Sequence, residues 1–600
     1  MKLKATVGVI LTLSLALTLF AVTPISAAGA PIKIGVIADK SLTEGLSLWN
    51  GVEMAKDEIN AWHGGQGVYN ATGTGDYHKI QLVYIDEHAY PLRPDLAVAE
   101  LVGALPLVDW LVGGFRSECA FPMREAAADY FEANNKPMWT VTGCATTRLI
   151  DCGFGIITAT PCGQCVRCDY PRYKFLSRAT PMNDTYLFGA FSAFIREYLL
   201  GQLPATGFPY PTFNTPGKLA RMYQDPVPTY LVMENLVWTD TMLACLLGSS
   251  YIPASPYPTP PNPAAVLGNH CVLVGTPPFS RPAWDAEDFT TTLNAIEASG
   301  AKLVIHVFSA LAGASFIKQF GQRQIEAVAV GINVESQLDA FWTISGGFCE
   351  YESFLASMGT RSALMPTTPA FWDAYIAKFG DAPVYTGLAS HDATLTFAEN
   401  LEAINTLDVD IAIPYAEQRV RDGLLGRFKY TGPHPGKNPY NQGYDYDGSA
   451  GSINNLNPTR TGGLHDVWSY ETGATWSAPK YVRTQIPQWI AGKQEVVWPR
   501  DQAYSKRYTI PPWMWETAGG YSIADTDWAG TGPVVIAGPT VISPYLFPDG
   551  IVDIVDITSA AAYWLELPAY YALEADINGD GLVDIYDVSR MGKDWHKTAA

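Results

Sequence analysis

The chain has 600 residues, 39 Lys and Arg against 59 Asp and Glu, a formal net charge of −20 and a pI near 4.9. That balance argues against a nucleic-acid partner, because no Lys/Arg cluster offsets repulsion from phosphates. With 48% hydrophobic and 12% aromatic residues the chain can bury large cores, so it reads as a globular protein of several domains.

The opening MKLKATVGVILTLSLALTLFAVTPISAAGA carries Lys2 and Lys4, an apolar run from Val7 to Val22, a breaking Pro24 and small residues from Ser26 to Ala28. It reads as a secretory signal peptide over residues 1–29. The run is shorter than the ~20 residues a spanning helix needs, so an uncleaved anchor is the weaker alternative. No cysteine follows the run to take a lipid, and no later run is long enough to span. The mature protein is therefore expected to be secreted, extracellular or held at the cell surface by a partner.

From Ile32 the pattern alternates. PIKIGVIADKS reads as a buried strand, LWNGVEMAKDEINAW as an amphipathic helix and HKIQLVYIDEHAY as a second strand. LAVAELVGAL, VDWLVGGF, MREAAADYFEANN and PMWTVTG continue the series and predict a parallel sheet covered by helices on both faces. A second series runs from TYLVMEN through FTTTLNAIEASG, KLVIHVF, GASFIKQFGQ and EAVAVGINV. The fold class expected is α/β, with two doubly wound lobes.

Between the two series Cys152, Cys162, Cys165 and Cys168 cluster, among nine cysteines in all. The C-x2-C-x2-C spacing has two readings, a zinc or iron–sulfur site and a loop stapled by disulfides. Export, and the lack of a histidine or proline that would complete a metal pattern, favour the staple. Cys245 with Cys271 is a further candidate pair, and Cys349 a candidate odd thiol.

The order and spacing of IKIGVIADKS, DEINAW, IQLVYIDEHAYP, LVGGFRSECA and WTVTGCATT resemble the type 1 periplasmic binding proteins, in the branch that binds leucine, isoleucine and valine for ABC importers. The resemblance spans residues 30–500. It implies a small-molecule ligand held between the lobes, a hinge of three crossover strands that closes over it, and an importer permease as partner. It places Ser117, Ala145, Thr146 and Thr147 around the ligand carboxylate, Asn183 and Asp184 at a contact from the second lobe, and Trp238 as the aromatic that covers the ligand. Asn333 falls where amino-acid binders put the glutamate that pairs with the ligand ammonium, with Glu335 two residues on. An amide there gives up charge-assisted hydrogen bonding, so the ligand class stays open between an amino acid and another small carboxylate or amide. Arg116 either strengthens binding of a carboxylate or faces solvent.

His391 and Asp392 adjoin in YTGLASHDATLTFAENL, but neighbours on a helix do not face each other, so packing is the favoured reading over a catalytic pair. No G-x-S-x-G, H-E-x-x-H or phosphate-loop motif occurs. The chain is read as a binding protein and not an enzyme.

Residues 501–540 read as a linker, and 541–600 as a small module built on an internal repeat. In DINGDGLVDIYD, Asp576, Asn578, Asp580, Asp584 and Asp587 fill the side-chain places of a twelve-residue calcium loop, Leu582 offers its carbonyl and Gly581 permits the bend. FPDGIVDIVD repeats its second half, although Tyr545 and Phe547 stand at the first ligand places and cannot coordinate Ca2+. The pair resembles a type I dockerin, a duplicated EF-hand-like helical module. That resemblance implies Ca2+ and a cohesin-bearing partner. Because dockerins commonly append enzymes of polysaccharide breakdown, an extracellular enzyme is the rival function, and a surface interaction protein with no ligand is a third.

Overall fold

The computed structural model describes residues 28–146, 149–150, 165–166, 169–180, 187, 194–199, 226–236, 238–239, 271–309, 311–356, 367–429, 485–498, 508, 510–514, 534–536 and 540–542. Residues 1–27 of the signal segment, Thr147, Asn183, Asp184, Cys152, Cys162, Cys168 and every residue of the proposed calcium loop lie outside them.

The first sheet contains β1 (Ile32–Ala38), β2 (Ile80–Asp86), β3 (Trp110–Gly113), β4 (Met138–Val141) and β5 (Leu176–Arg178), all parallel, in the order β2-β1-β3-β4-β5. Period-2 alternation sends Ile34 and Val36 to one core, against Leu48, Val52 and Ile59 of helix α1 (Thr43–Gly65). Ile37 goes to the other face, against α2 (Pro94–Ala104) and α3 (Ser117–Asn134). Strand order reverses between β1 and β3, so a crevice opens at the carboxyl ends of these strands.

The second sheet contains β6 (Val227–Met233), β7 (Cys271–Leu273), β8 (Phe279–Ser280), β9 (Leu303–Phe308), β10 (Val328–Asn333), β11 (Ser353–Phe354), β12 (Ile486–Ile490) and β13 (Lys493–Trp498). Its order is β8-β6-β9-β10-β11-β12-β13, with β7 also on β6, and the helices α4 (Thr290–Ser299) and α5 (Ala312–Gln322) cover it. The lobe is parallel through β11 but not throughout, as the sequence series had implied. β12 pairs antiparallel with β11 and with β13. The β12–β13 turn puts Ala491 and Gly492 in the left-handed region, at φ 52 and 75, the geometry of a tight hairpin.

Between β11 and β12 the chain returns to the first lobe as α6 (Thr368–Phe379), α7 (Tyr385–Ile404) and α8 (Val409–Gln418). Phe371, Trp372 and Leu388 join the core under α1, while Val409 and Ile413 join the core under α3. The chain therefore passes between lobes three times, through connections that fall largely outside the described residues. α1 and α7 approach so closely that a Cβ on Gly51 would lie 2.1 Å from the Gly387 carbonyl oxygen.

Two expectations need correction. Tyr508, Ile510 and Met514 are buried in the second lobe's core, and Trp513 Nε1 donates to the Ile325 carbonyl at 3.0 Å, so the linker expected over 501–540 does not begin at 501. Cys271 carries a free thiol 2.9 Å from Thr229 Oγ1 and is not bridged to Cys245. Cys119, Cys144 and Cys349 are also free and buried.

Candidate ligand cleft

Strand ends and helix starts from both lobes converge on one cleft of about 510 Å³, counting its space open to solvent. The first lobe contributes Leu42 and Glu44 after β1, Phe115–Glu118 after β3, and Gly143 and Ala145 after β4. The second contributes Leu236 and Trp238 after β6, Ser309 after β9, and Ile332 and Val334 at the end of β10. Tyr385, at the start of α7, ties the lobes together: its hydroxyl donates to the Gly143 carbonyl at 3.2 Å and its amide to Gln337 Oε1 at 3.0 Å.

Trp284 of the second lobe packs against the first lobe beside the cleft-lining residues. Its ring meets Tyr90 edge-on at 4.9 Å and lies 4.5 Å under the Arg116 guanidinium, against Leu42, Ala89 and Phe115. Arg116 is therefore not solvent-facing, and it lines the cleft with one face of its guanidinium on the Trp284 ring. It is 4% exposed and its Nε donates to Glu118 Oε2 at 3.1 Å.

Of four buried carboxyl groups near the cleft, Glu44 lines it and the others support residues around it. Glu87 accepts from the amides of Phe115 and Arg116 at 2.9 and 2.8 Å, which sets the β3–α3 turn. Burial pushes its carboxyl up to about 8 against the pull of those donors. Glu234 Oε1 accepts from the Ser309 amide at 2.9 Å while its Oε2 has no partner. Burial raises this group to about 7, opposed by its bonds to Ser309. Glu44 Oε2 is also without a partner, and burial, then the charges of Glu335 and Glu234, hold its carboxyl well above the usual range. Glu335 is raised by burial, opposed by a hydrogen bond with Thr43 across the lobes.

Among the residues proposed from sequence, Ser117, Ala145 and Trp238 come together on the cleft wall. Ser117 opens α3 and its Oγ accepts from the Cys144 thiol at 3.3 Å. Thr146 sits just behind, fully buried, its carbonyl accepting from Arg178 Nη2 at 2.6 Å. Asn333 is not on the wall. Its Nδ2 donates to Glu352 Oε1 at 2.9 Å, in a buried cluster with His306 and Ser336. His391 and Asp392 diverge as helix geometry requires: the histidine lies 3.3 Å from Glu58, whereas Asp392 accepts from the amides of Leu424 and Leu425.

Sequence reasoning passed over Glu44, Glu234, Trp284 and Tyr385. A usable signal existed for Glu234, which directly follows the last residue of β6, as Glu87 follows β2, and such positions face the crevice of a doubly wound sheet.

No family model and no curated relative matches the chain. Among solved structures, it is similar to a putative branched-chain amino acid ABC transporter protein from Silicibacter pomeroyi, at 14% identity and TM-score 0.52, over 81% of this chain and all of that one. Two others are the LivJ substrate-binding protein of Streptococcus pneumoniae in complex with isoleucine, at 14% identity and TM-score 0.49 over 78% and 99%, and an R. palustris solute-binding protein in complex with benzoate, at 12% identity and TM-score 0.49 over 78% and 95%. The first likeness and the two lobes described above define the fold class: residues of both sheets form a type 1 periplasmic-binding-protein fold.

Proposed function

We propose that the protein is an exported solute-binding protein that captures a small organic molecule between its lobes and delivers it to an ABC importer, with no bond made or broken. The support is the cleft itself: strand ends of both lobes and Tyr385 line a space with an apolar wall and a few convergent polar groups, and Trp284 packs one lobe on the other beside it. Ser117, Ala145 and Trp238 are the contacts proposed on that wall, with Thr146 supporting the turn behind them. The test is mass spectrometry of small molecules that copurify with the protein, beside a thermal-shift screen of amino acids, amines, carboxylates and sugars. Absence of any copurifying molecule and of any shift across the screen refutes the reading.

We further propose that the C-terminal module is a calcium-dependent tether, docking onto a cohesin-bearing or other surface partner. The support is the spacing of Asp576, Asn578, Asp580, Leu582, Asp584 and Asp587. In so small a module ion binding supplies much of the folding free energy. Chelation, or Asp576→Ala, should abolish pull-down of the partner while ligand binding by the lobes persists. Capture that survives both treatments refutes the tether.

A further inference from the structure

Two buried carboxyl groups, one from each lobe, each keep an oxygen without a hydrogen-bond partner, and the nearby charge of Arg116 only partly offsets their burial. Glu44, 2% exposed, lies in the first turn of α1 and lines the cleft, and its Oε2 has no hydrogen-bond partner. Glu234, fully buried, directly follows β6 on the other lobe and adjoins the cleft through the lining residue Ser309. One of its oxygens is taken by the amide of Ser309, itself a lining residue, and the other is without a partner. Neither forms an ion pair among the described residues; Arg116, the lining residue of opposite charge, acts on both only from a distance, its Nε bonded to Glu118 and its plane on Trp284.

A buried carboxylate oxygen without a donor is costly, and the cost disappears when a ligand brings N–H groups and positive charge to it. A ligand carboxylate placed there brings no N–H donor to these oxygens and gives no reason for either group to lose its proton. The remaining wall is apolar and partly aromatic, from Leu42, Phe115, Trp238, Ile332 and Tyr385, which suits a hydrocarbon body, and the ring faces favour a cation.

We propose that the cleft selects a protonated amine, a small organic cation with an apolar body whose N–H groups reach Glu44 of one lobe and Glu234 of the other, and for which a carboxylate is dispensable. The acid missing at Asn333 is thus supplied from two other elements. Because the two carboxylates come from opposite lobes, the amine also draws the lobes together. This inference rests on the solute-binding reading above.

The test is calorimetry on the full chain with matched aliphatic series of increasing length: amines, the amino acids that carry the same side chains, and carboxylates lacking the amine. For a leucine-sized body these are 3-methylbutylamine, leucine and 4-methylpentanoate. At least one amine should bind within tenfold of its amino acid and at least a hundredfold tighter than its carboxylate. Glu44→Gln and Glu234→Gln should each weaken the amine at least tenfold. Binding should release protons, read from the dependence of the heat on buffer ionisation enthalpy, and the release should shrink in each variant. Unliganded melting at or above the wild-type temperature would confirm that the variants fold, since glutamine removes a buried acid.

A carboxylate that binds as tightly as its amine overturns the proposal, as do variants that keep wild-type amine affinity. If the thermal-shift screen finds a ligand but no amine binds, the cation preference fails and the solute-binding reading stands. If no solute of any class binds, both fail.

Discussion

Replacing Glu234 by glutamine should make the protein more stable at neutral pH than at acid pH relative to wild type. The carboxyl is fully buried and raised to about 7 in the folded protein, against about 4.5 for an exposed glutamate. Between those values the unfolded chain has lost its proton and the folded protein has kept it. Stability therefore falls as pH rises through this window, and below it both states are protonated and nothing is lost. A difference of roughly 2.5 pH units corresponds to about 3 kcal/mol, as an upper estimate for one group. Glutamine does not titrate, so the variant's advantage should grow from near zero at pH 4.5 to about 3 kcal/mol at pH 8. Glu87, raised to about 8, acts with the same sign in both proteins, so wild type and variant should share that part of the slope. The assay is urea unfolding at fixed ionic strength from pH 4.5 to 8.5. Hydrogen exchange of the β6 and β9 amides would isolate the second lobe, because a two-lobed chain need not unfold in one step. Parallel pH profiles, or a variant equally destabilised at every pH, would refute the reasoning and mean that the native carboxylate is ionised and held.

Trp284→Ala removes the edge-on contact with Tyr90 and the ring beneath Arg116, together worth about 1–2 kcal/mol; small-angle scattering should record a larger radius of gyration without ligand, and an unchanged radius would show that Trp284 does not hold the lobes shut. Gly51→Ala forces a Cβ against the Gly387 carbonyl oxygen and should lower stability by roughly 2 kcal/mol, measured by denaturant midpoint. Asp392→Ala leaves the amides of Leu424 and Leu425 without their acceptor and Arg421 with Glu399 alone, and should cost about 3 kcal/mol. His391→Gln should leave ligand affinity unchanged, because His391 packs on Phe371 beside Glu58, away from the cleft-lining residues.

Much of the scaffold was legible because burial follows period. Ile34, Val36 and Ile37 announce a strand buried on both faces, and Leu48, Val52 and Ile59 a helix that covers one of them. The place of Ser117 on the cleft wall was legible because a residue opening a helix just after a strand lies at the crevice of a doubly wound sheet. The return of α6–α8 to the first lobe was not. What places them is the close glycine contact between α1 and α7 together with the packing of Phe371, Trp372, Val409 and Ile413 into the first lobe's cores, none of which is local in sequence.

The same period explains the misplacement of Asn333. Ile332 and Val334 both line the cleft, so the residue between them must point to the opposite face of β10, where Glu352, His306 and Ser336 receive it. Spacing from a family pattern locates a residue to within one position along the chain, and in a strand one position is the difference between a ligand contact and a buried support. Glu44 and Glu234 failed to register for the reverse reason. An acid in the first turn of a helix, or just after a strand, ordinarily complements a helix dipole or faces water. What makes these two unusual is their complete burial with an oxygen left over, and that depends on how two lobes more than a hundred residues apart in sequence close on each other.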